Sequence, residues 1–285
     1  MAQNYATDVL GKIDERFYLE SVTKDIINNG VQLEFSNGNN AVTIYTVNVV
    51  TENDYVRSGT MRYGALVEVG NSTQTKVLSQ DKSFAISVDR GNRDDAKMVN
   101  DIDDAVKRQV REVSVPTTDI YRLGILTAYA VANSQSATAA LSSSNTFTKI
   151  LDQRAALIEA KVVSQTANGA AGMALYVTPT VEAYLWLDTT FKSACDRRTA
   201  DTASGKIGTV MGMDVYVVPS TYFSANFGFM VVAKNLLIAP TKFNSVRTGD
   251  GFSFGIDGWV GFGRRYYDAF ILQNKGPGVR THFIA

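Results

Sequence analysis

The hydrophobic rhythm of the chain changes twice. Over residues 1–30, Tyr5, Val9, Leu10, Ile13 and Phe17 fall near helical spacing without a clean stripe, and Gly30 closes the stretch. This predicts a short helix in an arm that leans on another surface. Residues 31–35 and 41–50 read as strands, divided by Ser36-Asn37-Gly38-Asn39-Asn40. Asn-Gly between two such runs predicts a hairpin, because both residues tolerate positive φ. Residues 51–88 continue the β pattern but are only half apolar, and Gly59, Gly64 and Gly70 interrupt them. At their end Phe84, Ile86 and Val88 alternate with Ser83, Ala85 and Ser87, the period of a half-buried strand. A long polar β excursion with no helix over it exposes strand edges, which soluble proteins normally protect.

From Asp94 the period becomes helical: Val99, Ile102, Val106, Val110 and Val113 share one face. Asp94, Asp95, Asp101, Asp103 and Asp104 crowd the start and Lys107, Arg108 and Arg111 the end, the charge order that a helix dipole favours. Asn92 is the expected N-cap and Pro116 the expected stop, giving about 20 residues or roughly 30 Å of helix. Further helices are predicted over 119–132 and 147–163, linked by the small-residue stretch 134–144. The remainder alternates more evenly. A strand is expected at 174–177, and a helix opens at Pro179 and runs through Phe191. Strands follow at 213–218 and 229–232, then a glycine-rich loop at 249–255. A terminal strand over 259–272 places Phe262, Arg264, Tyr266, Asp268 and Phe270 on one face. No repeat is visible at a solenoid period. The class is α+β.

Composition narrows function mainly by exclusion. A chain of 285 residues with 45% hydrophobic content has room for about two domains and enough apolar material to close a core. The 28 basic residues balance 28 acidic ones, so net charge gives no bias toward nucleic acid or an anionic membrane. One cysteine, Cys195, and one histidine, His282, exclude a disulfide framework, a multi-thiolate cluster and most imidazole-based relays. No apolar run approaches the roughly 20 residues that span a bilayer. The opening residues lack the basic and apolar regions of a secretion signal, so a reduced, soluble chain made inside a cell is expected.

Local constellations carry little chemistry. Asp101, Asp103 and Glu112 superficially match a calcium loop, but Val106 stands where glycine must turn the chain, so a solvated helix face is preferred. Gly249–Gly255 lacks a following Lys-Ser/Thr and opens no helix, which makes it a turn rather than a phosphate cradle. Arg264-Arg265-Tyr266-Tyr267 joins bases to aromatics, yet on a strand they divide between two faces. Cys195 beside Arg197 and Arg198 has no neighbouring histidine and reads as incidental. His282 reads as a surface or packing residue. The search yields no catalytic, cofactor-binding or metal-ligating residue.

The order of elements and several motifs resemble the major capsid proteins of tailed bacteriophages with the Hong Kong 97 fold. Asp54-Tyr55 is similar to the start of that family's extended loop, and residues 81–89 (DKSFAISVD) to its return strand. Asp94-Asp95 would open its spine helix, and residues 174–179 (ALYVTP) resemble its strand–Pro–helix turn. Residues 207–215 (IGTVMGMDV), then Val218-Pro219-Ser220, and residues 267–272 with Lys275 complete the likeness. The resemblance implies an N-terminal arm (1–30), peripheral-domain strands (31–50) and an extended β loop (51–88). It further implies a peripheral domain with the spine helix (89–163), a mixed α/β axial domain (164–258) and a closing peripheral strand (259–285).

By this resemblance the chain is a non-enzymatic shell protein without cofactors, forming pentamers and hexamers around a tailed phage's double-stranded DNA. Its partners would be copies of itself, a separate scaffolding protein, a portal, possible decoration proteins, DNA bound non-specifically, and no membrane. It would reside in the virion, and in host cytoplasm during assembly. The expected inter-subunit residues are Asp54, Tyr55, Arg57, Arg62, Tyr63 and Lys82, meeting Asp101, Asp103 and Asp104 on a neighbour. Lys76 and Lys82 lie in or beside the loop where some members crosslink, but no crosslinking motif is readable. Deleting residues 55–80 is expected to abolish shells and leave the fold. The alternatives are an encapsulin-type nanocompartment shell and, from another class, a cytoplasmic carboxylate-dependent hydrolase.

Overall fold

The computed structural model describes residues 20–28, 30, 33–35, 41–95, 102–162, 172–188, 190–191, 195–196 and 206–285. The arm helix around Tyr5–Phe17 and the helical position of Val99 lie outside them. The chain opens with β1 (Glu34–Phe35), β2 (Ala41–Val47), β3 (Asn71–Val77) and β4 (Gln80–Asp89). Next come α1 (Arg90–Asp95), α2 (Ile102–Gln109), a π-helical turn (Val110–Ser114) and α3 (Val115–Ala132). Then follow β5 (Ser136–Thr138), α4 (Thr146–Glu159), β6 (Met173–Val177) and α5 (Pro179–Leu187). Short strands β7 (Cys195–Asp196), β8 (Lys206–Val210) and β9 (Met213–Val217) precede β10 (Phe227–Ala233) and β11 (Leu237–Ile238). The last strands are β12 (Thr241–Asp250), β13 (Gly258–Tyr267), β14 (Phe270–Ile271) and β15 (Val279–Phe283).

The main body is a seven-stranded sheet in the order β5-β15-β10-β6-β9-β8-β7. Every residue of β6 and of β10 is buried, which explains their unbroken apolar runs: a strand covered on both faces needs no alternation. On one face Tyr176, Met230 and Val232 pack against Leu123, Leu126 and Ala130 of α3. On the other, Leu175, Val177, Phe229 and Val231 meet Phe147, Ile150 and Leu157 of α4 and Val181 and Leu185 of α5.

A second, three-stranded sheet runs β12-β13-β4, with α2 across one face. The predicted alternation holds here. Phe84, Ile86 and Val88 face Ile102 and Val106 of α2 with Trp259, while Ser83, Ala85 and Ser87 are exposed. The helix lies close because Gly261 has no side chain; a Cβ there would sit 2.6 Å from a Val106 methyl. Thus β4 is covered, contrary to the expectation that residues 51–88 form a bare excursion. The third sheet, β1-β2-β3, pairs the two predicted runs antiparallel, Glu34 opposing Thr43 and Phe35 opposing Val42, while the expected Asn37-Gly38 turn lies outside the described residues.

Pro116 does not stop the helix. Residues 102–132 run on through the π turn, about 45 Å at 1.5 Å per residue, and the helix expected at 119–132 is its continuation. The Val115 N–H reaches back five residues to the Val110 carbonyl, a widening that accommodates a ring unable to donate a hydrogen bond. Side chains serve the disturbed carbonyls. Thr117 Oγ1 donates to Val113 O (2.6 Å) and Thr118 Oγ1 to Ser114 O (2.9 Å). Arg265 on β13 donates to Ser114 O at 2.9 Å and to Thr118 Oγ1 at 2.7 Å.

Four boundaries also differ from expectation. Asn92 is not the N-cap; the Asp89 carboxylate accepts from the Asn92 N–H at 3.3 Å, and α1 begins at Arg90. The helix from Pro179 ends at Leu187 because Asp188 turns extended (ψ 123°) and accepts from the Thr190 and Phe191 N–H groups. The helix over 147–163 ends at Glu159, with Lys161 following in positive φ. Residues 259–285, expected as one closing strand, divide among three sheets. The chain turns at Asp268, whose carboxylate accepts from Tyr121 OH (2.6 Å), Ser79 N–H (2.8 Å) and Ala269 N–H (2.7 Å). Beyond it β14 pairs with β11, and β15 enters the large sheet between β5 and β10. His282 is therefore a core residue, not a surface one, with its ring centroid 5.0 Å from that of Phe229.

Candidate assembly surface

Residues 48–70 form a projection with its own internal order. Its base is closed by Asn48 N–H donating to Gly70 O at 3.0 Å, directly beyond the β2–β3 ladder. Its tip folds back where Val56 N–H donates to Arg62 O (3.0 Å) and Gly64 N–H to Met61 O (3.0 Å). Gly59 at φ 92° permits the reversal, and its carbonyl accepts from Arg62 Nε at 3.1 Å. The rings of Tyr55 and Tyr63 meet edge to face, 5.0 Å apart.

This order holds apolar side chains in water. Leu66 is 98% exposed, Val49 94% and Tyr63 82%, with Met61, Val67, Val69, Val56 and Tyr55 also open. Scattered exposed apolar residues are ordinary, but a fixed cluster of this size marks an interaction surface.

Of the expected contact residues, the tip brings Tyr55, Arg62 and Tyr63 together, and Asp54 and Arg57 are exposed beside them. Lys82 lies elsewhere, exposed on β4 opposite Arg265. Asp103 and Asp104 are exposed on the first turn of α2, where Asp104 accepts from Lys107 Nζ at 3.1 Å. Asp101 is outside the described residues. Leu78 is buried and the Ser79 N–H is bonded to Asp268, so deleting residues 55–80 would remove β3 and cut into the core; the separable part ends near residue 68.

Several polar groups that sequence reasoning missed tie the N-terminal segment to the body and β4 to β13. Asp119 on α3 is 1% exposed and accepts from Ser21 Oγ (3.0 Å), Val22 N–H (2.9 Å) and Thr23 Oγ1 (2.7 Å). Burial pushes its carboxyl above the usual aspartate range, opposed by those hydrogen bonds and by Arg122. Tyr176 OH donates to Val22 O at 2.8 Å, and Tyr216 OH donates to the Asp25 carboxylate. On β4, Asp81 takes a bidentate grip from Arg264 (3.0 and 2.6 Å), whose hydrogen bond holds that carboxyl below its ordinary value. A lone Asp in a helical or strand pattern carries no mark of such a role; only the fold supplies the partners.

No arrangement for catalysis emerges among the described residues. No group of three or more His, Cys, Asp or Glu side chains converges there on a metal-sized site. An open groove of about 350 Å³ is lined by Leu78, Asp81, Phe243, Arg264 and Tyr266, with its acid and arginine engaged with each other. His282 is pushed toward its neutral form by burial and by Lys149. No helix among the described residues is long and apolar enough to cross a membrane.

No model of a known protein family matches the chain, and no curated protein is similar to it in sequence. Solved structures do match. A chain of Mycobacterium phage Che8 superposes with a TM-score of 0.62 at 13% identity, over 99% of this chain and 98% of that one. The mature capsid of bacteriophage PhiM1 gives 0.66 at 12% identity, over 99% and 92%. The capsid of the cyanophage P-SCSP1u gives 0.67 at 10% identity, over 99% and 93%. The fold is therefore that of tailed-phage capsid proteins, the Hong Kong 97-like α+β arrangement that the sequence resembles.

Proposed function

We propose that this chain is a major capsid protein that self-assembles as pentamers and hexamers into the icosahedral head enclosing a tailed phage's double-stranded DNA. The observation that carries the reading is the internally ordered projection at 48–70, which holds Leu66, Val49 and Met61 exposed, on a fold shared with phage capsids. A closed shell supplies the missing faces with copies of the same chain. Balanced charge suits a container wall, since many phosphate contacts would immobilise packaged DNA. The role is structural and non-enzymatic. The three-stranded sheet with α2 forms the peripheral unit and the seven-stranded sheet most of the axial one. Tyr55, Arg57, Arg62, Tyr63 and Lys82, with Asp54 beside them, serve contacts to a neighbour's Asp101, Asp103 and Asp104. A separate scaffolding protein, a portal and decoration proteins would be the other partners. The chain would work in the virion after assembly in host cytoplasm.

The test is expression of the chain alone and with the scaffold candidate from its gene neighbourhood, followed by light scattering and negative-stain electron microscopy. Shells or five- and six-fold rings are expected. A uniform compact monomer under both conditions would overturn the reading. Replacing residues 51–67 by an Asn-Gly turn, with the Asn48–Gly70 bond kept, should leave thermal unfolding within a few degrees and remove all particles. Particles from that variant would show that the projection is dispensable.

A further inference from the structure

We infer that residues 65–69 of one copy add as a strand to the free edge of β12 in a second copy; this rests on the assembly reading above. Ala65-Leu66-Val67-Glu68-Val69 bends at Ala65, then runs without helix or turn, carries two β-branched valines flanking Glu68, and lies outside every sheet among the described residues. The hydrogen bonds that order the projection join 56 to 62, 61 to 64 and 48 to 70, and leave 65–69 out of that pattern. Five residues of this composition would span about 17 Å as a strand, and this segment has no ladder of its own.

The same chain offers a matching edge. β12 is the outermost strand of its sheet, ten residues long, eight of them exposed. A long open edge is a template for strand addition, in which main-chain bonds give affinity and alternate side chains give register. Register follows from the side chains. On β12, Arg247 shares a face with Phe262, whereas Val246 (46% exposed) and Thr248 lie on the opposite face. On the segment, Glu68 and Leu66 share one face and Val67 and Val69 the other. Placing Glu68 across from Arg247 sets a valine across from Val246 in either strand direction.

Other edges fit less well. β4 presents Asp81 and Asp89 on the face where Glu68 would have to lie, and its apolar residues already face α2. The free side of β3, Asn71–Val77, offers mostly hydroxyl and amide side chains.

The test uses the full chain with Cys195→Ser, carrying Glu68→Cys and Arg247→Cys. Opposed strand residues have Cβ atoms near 4.5–5.5 Å, close to disulfide reach. Assembled particles oxidised with copper–phenanthroline and air, which takes up the two electrons and two protons released per bond, should show chain-to-chain multimers on a non-reducing gel. Each single-cysteine variant should give at most dimers. Particles without that ladder, or with an equal ladder from Glu68→Cys and Ser87→Cys on β4, would overturn the pairing while the assembly reading stands. Absence of particles from the unmodified chain would remove both. Should the cysteine pair not assemble, charge exchange decides. Glu68→Arg and Arg247→Glu should each lower particle yield about tenfold or more, and the double exchange should restore it. No restoration would overturn the pairing.

Discussion

Single carboxylates in this protein have opposite consequences because their surroundings differ. Asp119 is buried and its carboxyl is raised, so the folded state favours the protonated form. Its contribution to stability is full below the ordinary aspartate pKa and is lost as pH rises through the raised folded value. Asp214 stands against partial burial but is held lowered by hydrogen bonds from Lys234 and from Lys206, the latter at 2.9 Å. Its contribution is present above the ordinary aspartate pKa and is lost as pH falls through the folded one. Thermal unfolding across pH 3–7 should therefore separate two variants. Relative to Asp119→Asn, the parent gains stability on acidification; relative to Asp214→Asn, it loses stability. Parallel curves would sink both assignments. Asp119→Ala also strands Ser21, Thr23 and the Val22 N–H, at a cost of about 3 kcal/mol, or roughly 6–12 °C in Tm for a chain of this size.

Elements were legible where their period depended on one neighbour. Phe84, Ile86 and Val88 announce β4 because one face meets α2 and the other meets water. The apolar run of β6 and the proline opening α5 were equally readable. β12 was not, because Thr241–Asp250 is exposed at nearly every position and has no buried face to impose alternation. Pro116 misled because a helix interior normally rejects proline; here Arg265 donates to the Ser114 carbonyl of the π turn, 151 residues away in sequence. The place of the loop tip could be read from the order of elements, whereas Asp119 and Asp268 depend on partners about 97 to 189 residues away. At this scale the close approach of α2 to β13 is open to test. Gly261→Val should destabilise by about 1–3 kcal/mol through overpacking against Val106, and Val106→Ala should recover part of it in the double variant. Full additivity in denaturant titrations would argue against direct contact.

The whole molecule combines a body whose large sheet is covered on both faces with a projection that holds its apolar side chains exposed. Association driven by Leu66, Val49, Tyr63 and their neighbours should survive 1 M salt, where charges are screened within about 3 Å. Particles that dissolve at 1 M sodium chloride, followed by light scattering, would shift the weight to ion pairs. The position of β15 adds a matter of timing. This strand lies inside the large sheet, bonded on both sides, yet the ribosome makes it about 200 residues after the projection. At 5–20 residues per second the delay is roughly 10–40 s. Until β15 is added, β5 and β10 lack the strand that joins them, so the seven-stranded body cannot close until residues 279–283 have emerged, long after the projection.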